Sequence, residues 1–365
     1  MKIDRIAHLI LIAFIFLSEA HINAQQKTFK HKIIVKDITI PWGFTFLPDN
    51  SMLYTEKKGK MTIFRNGKKR EVFGLPRVVE YGQGGLMDVE LHPNFKENHL
   101  IYFTYASGAG QGEGTNTALM RAELRDGRLM NKKVLYKAGP NSRRGQHFGS
   151  RIAFDREGYI YFTIGDRGSR DLNPQDISRD CGKVYRLKDD GTIPSDNPFV
   201  NNSSAKKAIF SYGHRNPQGM EMNPFTGEIW THEHGPRGGD EINIIQKGKN
   251  YGWPKASYGI NYSGTKFTNK TTIPGMEDPL HFWTPSIAPS GMAFVTSKKY
   301  PNLYGKLLVG SLKFQYVSVC ILKNGKVVKE EKILKNLGRV RSIEEGPDGF
   351  IYVGIEYYGI VKLLP

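Results

Sequence analysis

The sequence contains only two cysteines, Cys181 and Cys320, among its 365 residues. Two cysteines cannot form a disulfide framework, and the sequence does not say whether they pair; we expect each to be a buried free thiol. The chain also lacks any concentrated block of charge, although its net charge is +17. The lysines are scattered, as at 57–60, 68–70 and 298–299. We therefore expect no nucleic-acid partner and only general, weak adhesion to anionic surfaces.

Long apolar runs are absent except at the start of the chain. The run IAHLILIAFIFL (6–17) follows the basic start MKIDR and precedes a polar stretch that ends in Ala24. This layout is typical of a secretory signal peptide, and the run is shorter than the about 20 apolar residues of a membrane span. An uncleaved N-terminal anchor is the alternative. We expect a signal peptide over 1–24 with cleavage after Ala20 or Ala24. The mature domain (25–365) would be periplasmic or secreted, without stable membrane insertion.

Turn-forming and aromatic residues are abundant: 40 glycines, 19 prolines, 20 phenylalanines and 18 tyrosines. This composition favours an all-β protein. Six segments share one pattern, in which a short alternating strand leads through a Pro, Asp, Asn or Gly turn to a strand rich in Tyr, Phe, Ile and Val. Such a pattern predicts β-hairpins. The six segments are 42–56, 87–105, 150–166, 218–235, 290–311 and 340–359.

Six similar hairpins predict a six-bladed β-propeller of four-stranded antiparallel blades. The average spacing of roughly 57 residues exceeds the 40–45 typical of a blade, so we expect long loops. A pair of β-sandwiches is the alternative, but sandwiches would not repeat one hairpin six times. Loops from several blades of a propeller converge at one end of its central channel. Polar residues beside the hairpins are therefore candidates for one shared site.

Five blades place polar residues next to the predicted hairpins. These residues are Gln83, His147, Arg215 with Asn216, the pair Gly235-Pro236, Lys313, Arg339 and Arg341. Four converging cations would repel one another unless an anion lay among them, and arginine suits carboxylates. A histidine that titrates near neutrality is a natural general base, which Asp166 could orient. The residues alone thus indicate an anionic ligand or cofactor beside a base.

Eight motifs occur in order from about Ile40 to the C terminus. They are QGGLMDVELHPNF, HFGSRIAF, IGDRG, GHRNPQGM, EHGPRGGDEINIIQKGKNYGWP, PSIAPSGMAF, GSLK and GRVRSIEEGPDGFIYV. Together they resemble the soluble pyrroloquinoline quinone (PQQ)-dependent glucose/sorbosone dehydrogenase family, which includes the aldose sugar dehydrogenases. Members of this family are six-bladed propellers, so the resemblance implies the same fold as the repeat pattern.

The resemblance also implies residue roles. His147 matches the general base that takes the proton from the C1 hydroxyl of an aldose, and Asp166 matches its acidic neighbour. The residues that match the PQQ contacts, including those to its three carboxylates, are Gln83, Arg215, Asn216, Lys313, Arg339 and Arg341. Gly235 and Pro236 match backbone carbonyl ligands of a catalytic Ca²⁺. The implied reaction is hydride transfer from C1 to PQQ polarised by Ca²⁺ and Arg215, which yields a lactone and needs an external electron acceptor.

A second, structural calcium is known in members of the family. Glu241 and the carbonyl of Tyr251 match its ligands, but the further acidic ligand falls at Asn261, a neutral amide. A loop salt bridge is an equal alternative for Glu241. The segment 255–285 departs from the family pattern, so the sequence does not identify the sugar.

Two other classes of function compete with the dehydrogenase. A non-catalytic propeller could bind an anionic glycan or a partner protein, keeping the positive mouth without chemistry. A propeller hydrolase of sugar lactones would need several metal-binding side chains near the axis, where this sequence has cations. The presence of His147 together with the whole set of cations favours the dehydrogenase.

Overall fold

A computed structural model describes residues 29–365, so the predicted signal peptide, both candidate cleavage positions and residues 25–28 lie outside the described residues. Six four-stranded antiparallel sheets make up the fold. The only helix assigned as α within this range is α1, Phe95–Asn98. None of the helices in 29–365 has the length and apolar character needed to cross a membrane. The prediction of an all-β, six-bladed propeller is confirmed, and the sandwich alternative is wrong.

The chain begins with β1 (His31–Val35), which belongs to the last blade. Blade 1 contains β2 (Pro41–Phe46), β3 (Met52–Glu56), β4 (Lys60–Arg65) and β5 (Lys68–Glu71). Blade 2 contains β6 (Leu86–Leu91), β7 (Leu100–Ser107), β8 (Asn116–Arg125) and β9 (Arg128–Lys137). Blade 3 contains β10 (Ile152–Phe154), β11 (Ile160–Ile164), β12 (Lys183–Leu187) and β13 (Ile209–Tyr212).

Blade 4 contains β14 (Pro217–Met222), β15 (Ile229–Glu233), β16 (Asp240–Ile244) and β17 (His281–Trp283). Blade 5 contains β18 (Pro289–Phe294), β19 (Leu307–Ser311), β20 (Tyr316–Lys323) and β21 (Lys326–Ile333). Blade 6 contains β22 (Val340–Glu345), β23 (Ile351–Ile355) and β24 (Gly359–Leu363), and β1 is its fourth strand. Each of the six predicted hairpins forms the first two strands of one blade.

The ring closes through the two ends of the chain. Strand β1 pairs antiparallel with β24, with His31 opposite Leu363 and Val35 opposite Ile360. The first strands of the blades contact one another in sequence, and β22 returns to β2. Because the last blade is built from both ends of the chain, closure leaves no sheet open at the junction.

The core consists of apolar layers between neighbouring blades. Six buried clusters correspond to the six blade–blade junctions; Leu53 and Phe103, for example, meet between blades 1 and 2. Cys181 and Cys320 are buried and unpaired, as expected, and burial raises their thiol pKa values to about 11 and about 12. The alternating apolar residues that predicted the hairpins are thus the side chains that hold the blades together.

The first strand of every blade runs from one face of the propeller to the other. It begins at the face where residues such as His147 and Asn216 lie, and the second strand returns there, ending beside Asp166 or Gly235. We call this the mouth face. The turns between first and second strands, and those between third and fourth strands, lie on the opposite face, which we call the far face.

Arg151 links four blades inside the central channel. Its Nη1 forms a 2.8 Å ion pair with Asp88 Oδ1, and both side chains are 5% exposed. Its Nε donates to the carbonyl of Gln218 at 2.9 Å, and Nη2 donates to the carbonyl of Arg341 at 2.6 Å. The guanidinium carbon lies 4.4 Å from the ring centroid of Trp42. Blades 1, 2, 4 and 6 therefore all contact one side chain of blade 3.

Replacing Arg151 by Met should destabilise the protein strongly. The change leaves the Asp88 carboxylate buried without its charged partner, and breaking a buried pair in this way costs about 3–5 kcal/mol. Urea unfolding followed by tryptophan fluorescence measures the loss. The control is Arg156→Met on the far face, where an exposed arginine donates to the carbonyl of Pro224; it should cost less than about 1 kcal/mol. Equal losses for the two variants would contradict the linking role.

Candidate functional site

A histidine–carboxylate pair lies at the centre of the mouth face. His147 precedes β10 with a left-handed φ of 59°, and its Nδ1 is 2.6 Å from Oδ1 of Asp166. The Asp166 carboxylate also accepts hydrogen bonds from the backbone N–H of Gly168 (2.7 Å) and from Nε1 of Trp253 (2.9 Å). Because a carboxylate accepts the proton of Nδ1, the tautomer assigned from this network leaves the lone pair of Nε2 free.

The environment keeps His147 neutral and Asp166 ionised. Burial, and next the charge of Arg215, lower the pKa of His147 below its usual value, while Asp166 opposes this shift. Burial alone would raise the pKa of Asp166, but the hydrogen bond and charge of His147, together with Arg215, lower it overall. A neutral imidazole with a free Nε2 beside an ionised carboxylate is the state that a general base requires.

Arg215 is held in place by a buried hydrogen-bond network with residues of blade 4. Its backbone N–H donates to Oε2 of Glu233 at 2.5 Å, and Oε1 of Glu233 lies 2.8 Å from Nδ1 of His214. Its Nη1 donates to the carbonyls of His234 and Gly235, each at 2.9 Å. The backbone between β13 and β14 is thereby fixed, and the guanidinium is directed into the mouth.

These groups share a cavity of about 380 Å³, a size typical of small-molecule sites. Asp166, His147, Arg215, Pro236 and Trp253 all line it. Its wall also includes Arg144, Arg170, Asn261 and Tyr262. The three arginines of this wall outnumber its two carboxylates, Asp166 and Asp171, and this excess of positive charge favours a ligand that carries negative charge.

Gln83 and Asn216 are not among the residues that line this cavity, but each accepts a hydrogen bond from the segment that carries His147. The Oε1 of Gln83 accepts the backbone N–H of His147 at 2.8 Å, which ties blade 2 to the histidine. The Oδ1 of Asn216 accepts the backbone N–H of Gly149 at 3.0 Å. The Nδ2 of Asn216 is buried and has no hydrogen-bond partner among the described residues. A buried amide left unpaired is costly, so it marks a position where a ligand acceptor would be stabilising.

From the sequence, the cations of blades 5 and 6 are expected to converge on an external anion, but in the structure two of them pair with a carboxylate of the protein. Arg339 and Arg341 both pair with Glu356: Arg339 Nε is 2.7 Å from Oε2, and Arg341 Nε is 2.9 Å from Oε1. Burial disfavours ionisation of Glu356, but Arg341 and Arg339 outweigh burial and lower its pKa. Arg341 also donates to Gln218 Oε1 at 2.9 Å, while Lys313 is exposed. The carboxylate of Glu356 therefore pairs with two of the four cations, Arg339 and Arg341.

The residues matched to calcium fall into two groups. Pro236 lines the cavity, and Gly235 belongs to a loop so tight that an added Cβ would lie 2.1 Å from the carbonyl oxygen of Gly238. Glu241 lies on β16 away from the cavity wall, and burial followed by the charge of Glu233 raises its pKa well above the usual value. Within residues 29–365, no three His, Cys, Asp or Glu side chains form a group that could hold a metal.

Among residues 29–365, Glu241 accepts a side-chain hydrogen bond from Asn243, and no hydrogen bond joins it to Tyr251 or Asn261. Tyr251 stacks on His214 with 4.6 Å between ring centroids and donates its hydroxyl to the carbonyl of Ile244. Asn261 accepts a hydrogen bond from Arg170 at 3.2 Å at the cavity. These positions leave the second calcium site an untested prediction.

Sequence reasoning missed three functional candidates. Trp253 lies in the motif NYGWP, but nothing in that motif indicated its hydrogen bond to Asp166. Tyr262 is 72% exposed at the cavity rim, in the segment that departs from the family pattern. Glu356 follows β23 by one residue, and only the third dimension shows that it reaches two arginines.

The fold and the site define a closed propeller whose basic mouth holds a carboxylate-oriented histidine. A family model described as Glucose / Sorbosone dehydrogenase matches residues 38–360. The chain is 41% identical to the aldose sugar dehydrogenase YliI of Escherichia coli (strain K12) over 351 residues, 94% of each protein. The chain belongs to the glucose/sorbosone dehydrogenase family, which confirms the resemblance found in the motifs.

Two further comparisons agree with this assignment. The chain is 33% identical to quinoprotein glucose dehydrogenase B of Acinetobacter calcoaceticus over 276 residues, which cover 68% of this chain and 57% of that protein. The crystal structure of the soluble aldose sugar dehydrogenase of Escherichia coli in the apo-form superposes with a TM-score of 0.88 at 39% identity, covering 93% of this chain and all of that one.

We predict that the imidazole pKa of His147 in the ligand-free protein lies below the ordinary value of about 6.5, because burial and Arg215 disfavour the cation. In Asp166→Asn it should fall further, because the carboxylate that stabilises the imidazolium is gone. NMR titration of the histidine Cε1 protons measures both values, and the spectrum of His147→Gln identifies the resonance. A pKa above 6.5, or no change in Asp166→Asn, would contradict this account of the pair.

Proposed function

We propose that the protein is a PQQ-dependent aldose dehydrogenase that oxidises the C1 hydroxyl of a sugar to the lactone and passes the electrons to an external acceptor. The observation that carries the proposal is the His147–Asp166 pair in a cavity lined by Arg215. Family membership adds to it, because relatives are named aldose sugar dehydrogenase and quinoprotein glucose dehydrogenase. The reaction would take place in the periplasm or outside the cell, after removal of residues 1–24.

The residues present fit a cofactor with several carboxylates. The orphaned amide of Asn216 offers a donor, and Arg215 offers a guanidinium at the cavity wall. Gln83, Lys313 and Arg339 would complete the contacts from the other blades at the mouth. Arg341 is engaged by Glu356 and Gln218, so we assign it the task of orienting Arg339 and Glu356 as much as holding the cofactor.

The fit to a catalytic Ca²⁺ rests on backbone oxygens. The carbonyl of Gly235 accepts from Arg215, but a carbonyl oxygen has two lone pairs and retains capacity for a cation. Pro236 borders the cavity beside it. Ca²⁺ prefers oxygen ligands of this kind, and acceptors from the cofactor and water would supply the rest of its coordination.

Bound PQQ would supply the hydride acceptor, and side chains of the protein would supply the base and the positive charge beside it. Nε2 of His147 is the position for the proton of the sugar hydroxyl. Asp166 stabilises the imidazolium that results, and Trp253 and Gly168 hold Asp166 in place. Arg215 places positive charge at the reacting end of the cavity, where it favours developing negative charge.

Replacing His147 by Gln should reduce turnover strongly while leaving cofactor binding intact. Glutamine keeps a polar side chain of similar reach but cannot accept the proton, and losing a general base costs about 10²–10⁴-fold in rate. Stopped assays with an aldose measure turnover, and quenching of tryptophan fluorescence by PQQ measures binding. The control is His92→Gln in a turn of the far face, which should turn over normally. Full turnover of His147→Gln would show that the base lies elsewhere.

A further inference from the structure

Three turns on the far face share a design that turn geometry alone does not explain. They connect the third and fourth strands of blades 1, 2 and 5 and read Arg-Asn-Gly-Lys (65–68), Arg-Asp-Gly-Arg (125–128) and Lys-Asn-Gly-Lys (323–326). Both central residues of each have positive φ, for example 50° at Asn66 and 79° at Gly67. Such two-residue turns require Asn-Gly or Asp-Gly, but they do not require a cation on each side. The repeated flanking cations call for another explanation.

These turns lie along one continuous arc. Blades 5, 6, 1 and 2 are neighbours in the ring, because blade 6 closes it between blades 5 and 1. In blade 6 the equivalent position is the junction of the chain ends, where Lys30 precedes β1 and Lys362 lies near the end of β24. Lys298 and Lys299 extend from the far-face turn of blade 5. We call the far-face cations of these four blades the basic arc.

A groove of about 930 Å³ opens in the basic arc between blades 1 and 2. Its floor is apolar and includes Leu47, Phe95 and Leu124. The cations that line it are Arg65, Lys68, Lys69, Arg70, Lys96 and Arg125. Scattered in the sequence, these side chains are brought together by the meeting of two blades.

The acidic residues of the basic arc do not neutralise it. Asp49 pairs with Arg65 at 3.3 Å, and Asp348 pairs with Lys362 at 2.7 Å. Glu123 pairs with Arg125 at 2.8 Å, and Glu97, Asp126 and Glu345 are further carboxylates at this face. Among the described residues, no carboxylate lies within ion-pair distance of four exposed lysines: Lys68, Lys96, Lys323 and Lys326. Unpaired cations at the tips of turns are free to approach a charged surface.

We propose that the basic arc docks this protein on an anionic lipid surface, with the mouth turned away from the membrane. Charge complementarity along four blades favours an extended surface over a small ligand. The attraction acts over a Debye length of about 10 Å at 0.1 M salt. Side chains at the tips of exposed turns can approach a membrane surface within this distance.

The test must separate the basic arc from the general charge of +17. We would sediment the mature chain, residues 25–365, with vesicles of mixed phosphatidylglycerol and phosphatidylcholine and with vesicles of phosphatidylcholine alone. The arc variant carries Lys→Gln at positions 68, 96, 323 and 326. A matched control carries Lys→Gln at positions 58, 60, 266 and 270, in a mouth-side turn of blade 1 and in the insertion between β16 and β17.

The native protein and the control should bind the anionic vesicles, and neither should bind phosphatidylcholine alone. The arc variant should bind at least about tenfold more weakly, because removing several cations near anionic headgroups removes their summed attraction. Equal weakening of both variants, or no binding of the native protein, would overturn the proposal. Binding to polyglutamate but not to vesicles would assign the arc to an acidic protein and also overturn it. Turnover in solution is a separate readout, so failure here leaves the proposed function untouched.

Discussion

The rest of the structure depends on the buried ion pair and hydrogen bonds of Arg151 in the central channel. A propeller must join its blades around an axis where no backbone pairing crosses from blade to blade, and Arg151 supplies side-chain bonds to Asp88, Gln218 and Arg341 there. A buried charge of this kind is tolerated because it is paired with Asp88 and each of its three nitrogens has an acceptor. Arg341 in turn contacts Glu356, which reaches Arg339 at the mouth. The channel and the functional face are thus one connected polar network.

Much of the fold could be predicted because its information is local. Each blade begins with a hairpin whose alternating residues and turn lie within about 20 consecutive residues, and six copies of one pattern leave few architectures. The strands at the blade edges were harder to predict. Strand β5, with the exposed sequence KKRE, carries no apolar alternation and pairs only because β4 provides a partner. The basic arc was missed for a different reason: its cations are brought together from neighbouring blades and are not consecutive in the sequence.

The site was predictable to the extent that its residues flank the repeats. His147 and Arg215 precede the first strands of their blades and Asp166 follows a second strand, and the structure brings all three into one cavity. Glu356 escaped prediction because its significance lies entirely in its distance to two arginines. Two of the four cations expected to need an external anion, Arg339 and Arg341, pair with Glu356. The mouth is therefore less positive than the sequence implies. Tyr262 lies at the cavity rim within the segment 255–285, where the family pattern gives no guidance.

The most direct test of the account is reconstitution of the purified ligand-free protein. PQQ is titrated in with excess Ca²⁺ while the quinone absorbance is followed, and a panel of aldoses is then added. The account predicts saturable, stoichiometric binding, followed by sugar-dependent bleaching of the quinone to the quinol. Absence of PQQ binding in the presence of Ca²⁺ would contradict the cofactor assignment of Arg215, Asn216 and Lys313, and a glycan- or protein-binding propeller would then be the better description.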